Sequence, residues 1–390
     1  MKIGLVLPSL PAYSETFFRN KILGLQQNGH EVILFANSKP KSSNYLDCKI
    51  VGAPKLSGNK LRVAIGSFTQ TLKAVFVHPS KSLSLYKLNR KDGISLKENL
   101  KNIIANQFLL TEQLDWLHFG FGTMALGREN VAQVMGAKMA VSFRGFDIGI
   151  YPLKHPNCYK KLFKKVDKIH VISDDLTDLL YKSGLSKEKQ IVKITPAIDT
   201  SFFTPVTKTD NSILQLSTIA RLHWKKGLEY TLEALSKLKN EGIEFEYTII
   251  GDGIEKERLL FAAYQLGIKE NVNFVGKLPH TEVKKALEKT DIYLQYSIQE
   301  GFCNAVLEAQ AMGLLCIVSD AEGLSENVLD KQTGWVVEKR KPELLAQKIK
   351  EVMLLSSSEK ESIRTNATRR VQHEFNLEKQ QQEFLEFYNL

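Results

Sequence analysis

Two carboxylates eight positions apart, Glu300 and Glu308, stand in the run Gln299 to Gly313, which reads Q-E-G-F-C-N-A-V-L-E-A-Q-A-M-G. The preceding Asp291-Ile-Tyr-Leu-Gln-Tyr-Ser predicts a short buried strand, Gly301 and Asn304 punctuate a turn, and Ala305 to Met312 are strong helix formers. Glu300 is thus expected at the carboxyl end of a strand and Glu308 inside the helix that follows. In an open α/β sheet ligands bind at that end, and the free N–H groups of the helix start carry about half a positive charge, so a phosphate is at home there. An ordinary strand-turn-helix with one exposed and one capping Glu would show the same spacing.

A second loop supplies cations. The predicted strand Ser212 to Leu216 leads into S-T-I-A-R-L-H-W-K-K-G, then into a helix with Leu228, Leu232 and Leu235 on one face. Arg221, Lys225 and Lys226 beside a helix start make a seat for a diphosphate that needs no metal. Two surface cations on a polar loop are the plainer account. The loop precedes Glu300 by about eighty residues in the same predicted sheet, and the two motifs together are more specific than either alone.

Such loops need parallel sheets to hold them, and 390 residues with 43% hydrophobic content suffice for two α/β domains. Lys2 to Leu7, a helix ending at Asn28-Gly29 and Glu31 to Phe35 form a βαβ opening in which Ser14 is placed to cap the helix; the opening lacks G-x-G-x-x-G, which argues against a nicotinamide enzyme. Further strands are expected at Trp116 to His118, Lys138 to Phe143, Ile169 to Ile172 and Ile191 to Ile194, with a helix across Ala125 to Met135, and the aperiodic Pro196 to Pro205 reads as a linker. The segment from Pro40 to Asn106 has no readable periodicity. Helices are expected over Pro342 to Leu355 and from Ser358 to Tyr388.

Four cysteines without C-x-x-C or zinc spacing indicate neither a disulfide framework nor a metal site, and no apolar run suits a signal peptide or a membrane span, so a cytoplasmic protein is expected. Residues 1–205 hold 29 Lys and Arg against 15 Asp and Glu, a net +14, and the remainder is net −4. Basic surface of that size suits nucleic acid or an anionic membrane, and no nucleic-acid-reading motif favours the first. Lys154 to Lys168 interleaves Tyr159, Leu162, Phe163 and Val166 with lysines at helical spacing: either a basic amphipathic helix on a bilayer or a solvated helix face.

The E-x7-E of Glu300 and Glu308, the R-L-x-x-x-K-G of Arg221 and Lys226, the H-F-G at His118 and the S-F-R-G-F-D at Arg144 together resemble the retaining glycosyltransferases of family 4, of the bacterial surface-polysaccharide type. The resemblance implies the GT-B fold, two facing Rossmann-like domains with an interdomain cleft: residues 1–205 on the acceptor side, 206–372 binding the donor, and about 373–390 packing back on the first domain. It implies transfer of a sugar, with retention, from a nucleotide-diphosphate sugar to a hydroxyl of a glycan or lipid-linked saccharide. Alternatives are a sugar-nucleotide epimerase and a non-catalytic sugar-nucleotide-binding subunit.

By the same resemblance Glu300 lies by the donor sugar, Arg221 and Lys226 hold the diphosphate, Gly301, Phe302, Cys303 and Asn304 offer backbone amides, and Glu308 holds the ribose. Gly253 and Leu278 flank the donor, while Ser14, Glu15, His118 and Arg144 are acceptor-side candidates. Arg144 stands where the family has His, and a guanidinium cannot act as a base at neutral pH, so its role there is either to bind a phosphate or carboxylate or to form a salt bridge to Asp147. No D-x-D tripeptide occurs, and no metal or other cofactor is expected. A peripheral attachment to the inner face of the cell membrane is the remaining expectation.

Overall fold

Uninterrupted apolar runs such as Ile3 to Leu7 and Ile292 to Leu294 are buried on both faces, which is what strands of a parallel sheet covered by helices require. In a computed structural model of the chain, describing residues 1–11, 16–37, 44–54, 60–205 and 213–389, they build two such sheets.

The first holds β1 (Lys2–Leu7), β2 (Glu31–Ala36), β3 (Asn44–Tyr45), β4 (Cys48–Gly52), β5 (Trp116–Phe119), β6 (Lys138–Phe143), β7 (Lys168–Val171) and β8 (Gln190–Lys193), in the order β3-β4-β2-β1-β5-β6-β7-β8. Every pairing is parallel except the short β3 on β4. The second holds β9 (Leu214–Ile219), β10 (Phe245–Ile250), β11 (Val272–Gly276), β12 (Ile292–Gln295), β13 (Leu315–Ser319) and β14 (Trp335–Val337), all parallel, in the order β11-β10-β9-β12-β13-β14. The chain winds outward from β9 to one side and then from β12 to the other, so β9 and β12 flank the switch point where a doubly wound sheet leaves a crevice at its carboxyl edge.

Two compact units result: Met1–Ile194 with Gln381–Leu390, and Thr195–Gln380. The sequence had suggested 205 and 372 for these boundaries. Helix Leu377–Tyr388 contributes its second half to the first unit, where Phe384, Phe387 and Tyr388 join Ile3, Leu5, Ile22 and Trp116 in the core. Gly24 admits this helix closely, since a Cβ there would sit 2.4 Å from Gln381 Cγ. In the second unit Leu228, Leu232 and Leu235 pack as their spacing predicts, with Tyr247, Ile249, Leu294 and Ile317.

Three local expectations are corrected. The run Lys154 to Lys168 is two short helices, Tyr151–Lys154 and Lys160–Lys165, because Pro156 and Asn157, the latter at φ +58°, break it. Its Tyr159, Leu162, Phe163 and Val166 are buried, and Lys161 and Lys165 pair with Glu129 and Asp92 at 3.3 and 3.1 Å. The long terminal helix is also two, Ser357–Glu374 and Leu377–Tyr388, joined where Ile198 N–H bonds to the Phe375 carbonyl at 3.0 Å. The helix expected over Ala125 to Met135 shrinks to Val131–Met135.

Candidate functional site

In the second unit the two sequence motifs meet. The loop after β9 carries Arg221 to Gly227 and the loop after the neighbouring β12 carries Tyr296 to Cys303. They are stitched together by backbone: Ile298 and Gln299 N–H groups both bond to the Lys225 carbonyl, at 2.7 and 3.2 Å. Gly227, at φ +60°, allows this approach, because a Cβ there would lie 2.1 Å from the Tyr296 carbonyl oxygen.

The result is an ion pair between Lys226 Nζ and the Glu300 carboxylate, both largely shielded from solvent. Burial works to discharge Lys226, but the attraction of Glu300 outweighs it and holds the ammonium above its ordinary value, so it is cationic at neutral pH. Arg221, by contrast, is exposed, with no ion pair or hydrogen bond to its guanidinium among the described residues. His223 Nδ1 accepts from Lys225 N–H at 3.4 Å and steadies the turn.

Glu300 is fixed from a third loop, after β13. Its N–H donates to Glu322 at 3.1 Å, its carbonyl accepts from Gly323 N–H at 2.9 Å, and Glu322 pairs with Lys339 at 3.3 Å. Helix Asn304–Ala311 starts beside this cluster with Cys303 at its cap, a residue that offers no capping oxygen to the first free N–H groups. Asn327 instead braces Cys303, accepting from its N–H at 2.9 Å and donating to its carbonyl at 3.1 Å.

Glu308 lies in that helix, half-buried, with no hydrogen-bonding or ionic partner for its carboxylate among the described residues, and burial pushes its pKa up to about 8. Gly253 closes the loop after β10 against the Arg221 loop, for a Cβ there would be 2.2 Å from the Leu222 carbonyl oxygen. Leu278 is half-buried just past β11, at the far edge of the same sheet. Sequence reading missed Glu322 and Lys339; the only signal was an acidic residue in the A-E-G turn after a buried strand.

In the first unit Ser14 and Glu15 lie outside the described residues. His118 is wholly interior. Its Nδ1 stands 2.6 Å from Tyr388 Oη and 3.1 Å from Lys21 Nζ, and its Nε2 2.8 Å from Ser142 Oγ, which continues to His170 at 2.8 Å. Burial, then the Lys21 charge, holds His118 well below the usual imidazole range. Both ring nitrogens of His118 are thus engaged inside the unit. Arg144 lays its guanidinium over Phe17 at 3.4 Å from the ring centre. Its N–H and those of Gly145 and Gly122 donate to the buried Asp147 at 2.8, 3.1 and 2.9 Å, so the R-G-F-D turn is organised by Asp147. Burial nevertheless raises the Asp147 pKa.

A doubly wound second unit with cations and a helix start at its switch point has, at its carboxyl edge, a crevice that favours anions. Residues 199–370 match the family described as Glycosyl transferases group 1. The chain is similar to "Putative colanic acid biosynthesis glycosyltransferase WcaL" of Escherichia coli (strain K12), at 28% identity over 96% of both chains. It is also similar to the amylovoran biosynthesis glycosyltransferase AmsK of Erwinia amylovora, at 29% identity over 76% of this chain and 74% of AmsK.

Among solved structures, sucrose-phosphate synthase from Thermosynechococcus elongatus superposes with a TM-score of 0.75 at 16% identity, covering 100% of this chain and 98% of that one. Anabaena HepE, in complex with UDP and glucose, superposes with 0.72 at 14% identity, covering 99% and 98%. The fold is GT-B, with two Rossmann-like parallel-sheet units. No helix among the described residues is long and apolar enough to cross a membrane.

Proposed function

We propose that this protein is a glycosyltransferase of polysaccharide biosynthesis that moves a sugar, with retention and without a metal, from a nucleotide-diphosphate sugar to a hydroxyl of a glycan or lipid-linked saccharide. The observation that carries the reading is the Lys226–Glu300 pair at the β9–β12 switch point, with Arg221 exposed on the same loop. The match of residues 199–370 and the names of WcaL and AmsK support it, and HepE, of the same fold, was solved with UDP and glucose. These names are transferases, which disfavours an epimerase or a non-catalytic binding subunit.

In this reading the departing diphosphate gains charge as the glycosidic bond breaks. Arg221, Lys226 and the first N–H groups of helix Asn304–Ala311 stabilise that charge. Glu300, held by Lys226 and by the Gly323 amide, orients the donor sugar and offsets positive charge at its reacting carbon. Glu308, without a partner of its own, hydrogen-bonds the ribose. Purified protein incubated with labelled sugar nucleotides and a candidate acceptor should transfer or slowly hydrolyse the donor. A changed sugar, or binding without chemistry, would overturn the assignment.

A further inference from the structure

The first unit carries an apolar surface that its own core does not use. Helix Lys60–Leu72 continues into a wider turn, Lys73–Val77, which ends where His78 N–H bonds back to the Lys73 carbonyl at 2.9 Å. Its inward side is Gln70 and Ala74, both buried. Its outward side is Ile65, Phe68, Leu72 and Phe76, spaced i, i+3, i+7 and i+11, with Phe68 at 65% and Phe76 at 76% exposure. Val75 and Val77 beside them are also exposed. A surface helix made for water shows the reverse, apolar residues inward and polar ones outward. An inverted stripe of large side chains marks contact with something apolar outside the chain.

Charge selects the partner. Residues 60–101 hold nine Lys and Arg against two acidic residues, Asp92 and Glu98, and Lys73 is exposed within the stripe itself. We propose that the outward face of residues 65–77 lies in the headgroup layer of an anionic lipid bilayer, with Phe68 and Phe76 reaching the acyl boundary and the neighbouring cations facing lipid phosphates. The Lys154–Lys168 run is unsuited to this, since its apolar side is turned into the core.

The test is sedimentation with vesicles of phosphatidylglycerol and phosphatidylethanolamine. Wild type should partition onto them, weakly onto pure phosphatidylcholine, and Phe68→Ser/Phe76→Ser should partition about tenfold or more weaker. Lys160→Glu/Lys164→Glu should bind as wild type does. Both serine positions are exposed, so thermal melting by circular dichroism should be unchanged. If the double variant melts early, Phe76→Ser alone, at the more exposed position, serves instead. Undiminished sedimentation of the serine variant, or equal retention on neutral vesicles, overturns the proposal. So does a vesicle-free dimer that the variant converts to monomer, which would assign the stripe to a second copy of the chain.

Discussion

Lys226 and Glu300, 74 positions apart in the chain, join their side chains at the carboxyl ends of adjacent strands β9 and β12. Each is the other's charge partner in a shielded site, whereas Arg221 on the same loop is exposed. Removing them should therefore have different signatures. Lys226→Ala leaves a shielded carboxylate without its cation and should cost about 1–3 kcal/mol of stability together with about a hundredfold or more in turnover. Arg221→Ala should lower turnover comparably while moving stability by no more than about 0.5 kcal/mol. Urea unfolding and donor hydrolysis on the same preparations separate the two, and full turnover in the Arg221→Ala/Lys226→Ala double variant would remove both from the site.

Glu308 gives a pH signature. Its folded pKa, pushed up to about 8 by burial, lies above that of an unfolded glutamate. The native chain therefore binds the extra proton between the ordinary carboxylate range and about pH 8, and stability falls as pH rises through that window. Glu308→Gln should flatten this decline. Unfolding free energies at pH 6 and pH 9 check it, and an unchanged slope would show that Glu308 does not titrate there.

How much of this was legible in the sequence varied with the range of the interaction. Strand–turn–helix units were readable because buried parallel strands are short apolar runs and the turns carry Gly and Asn, as at Gly301 and Asn304. The cations and carboxylates were readable as loops, but their pairing was not, since nothing local ties Lys226 to Glu300 or Glu322 to Lys339. His118 likewise meets Tyr388 from 270 positions away. The segment from Pro40 to Asn106 resisted reading for a physical reason: in helix Lys60–Leu72 the apolar stripe faces outward and Gln70 inward, against the pattern that periodicity assumes.

His118 and His170 predict the opposite pH slope from Glu308. Burial holds both imidazoles well below their ordinary value, so the unfolded chain binds more protons and stability falls as pH drops through the unfolded value, near 6.5, toward the folded ones. Tyr388→Phe, which removes the hydroxyl 2.6 Å from His118 Nδ1, should cost about 1 kcal/mol. Replacing both histidines with Asn should shallow the loss between pH 7.5 and 5.5 in urea titrations. A loss as steep as wild type would place the acid sensitivity elsewhere.

The proposed diphosphate seat is built from cations and a helix start, so chelation should not matter. Turnover in excess EDTA is expected to equal that in magnesium. Activity lost to EDTA and restored by a divalent cation would show that Arg221 and Lys226 do not replace an ion.

Gly227 tests whether loop spacing, rather than the charges alone, sets activity. Its φ of +60° is strained for any other residue, and an added Cβ would meet the Tyr296 carbonyl oxygen at 2.1 Å, a backbone atom that cannot swing aside. Gly267 is a matched control, because its φ is +70° but nothing lies within 4 Å of the added Cβ. Gly267→Ala should therefore cost only the left-handed penalty, about 1 kcal/mol, with turnover intact. Gly227→Ala carries that penalty plus the displacement of one loop from the other, which parts Lys226 from Glu300. It should lose about 2–3 kcal/mol and at least about tenfold in turnover, because misplacement by an ångström is enough to disturb preorganised groups. Equal stability losses and equal turnover in the two variants would mean that the β12 loop yields to the methyl group and that the close approach at Tyr296 does not position the pair.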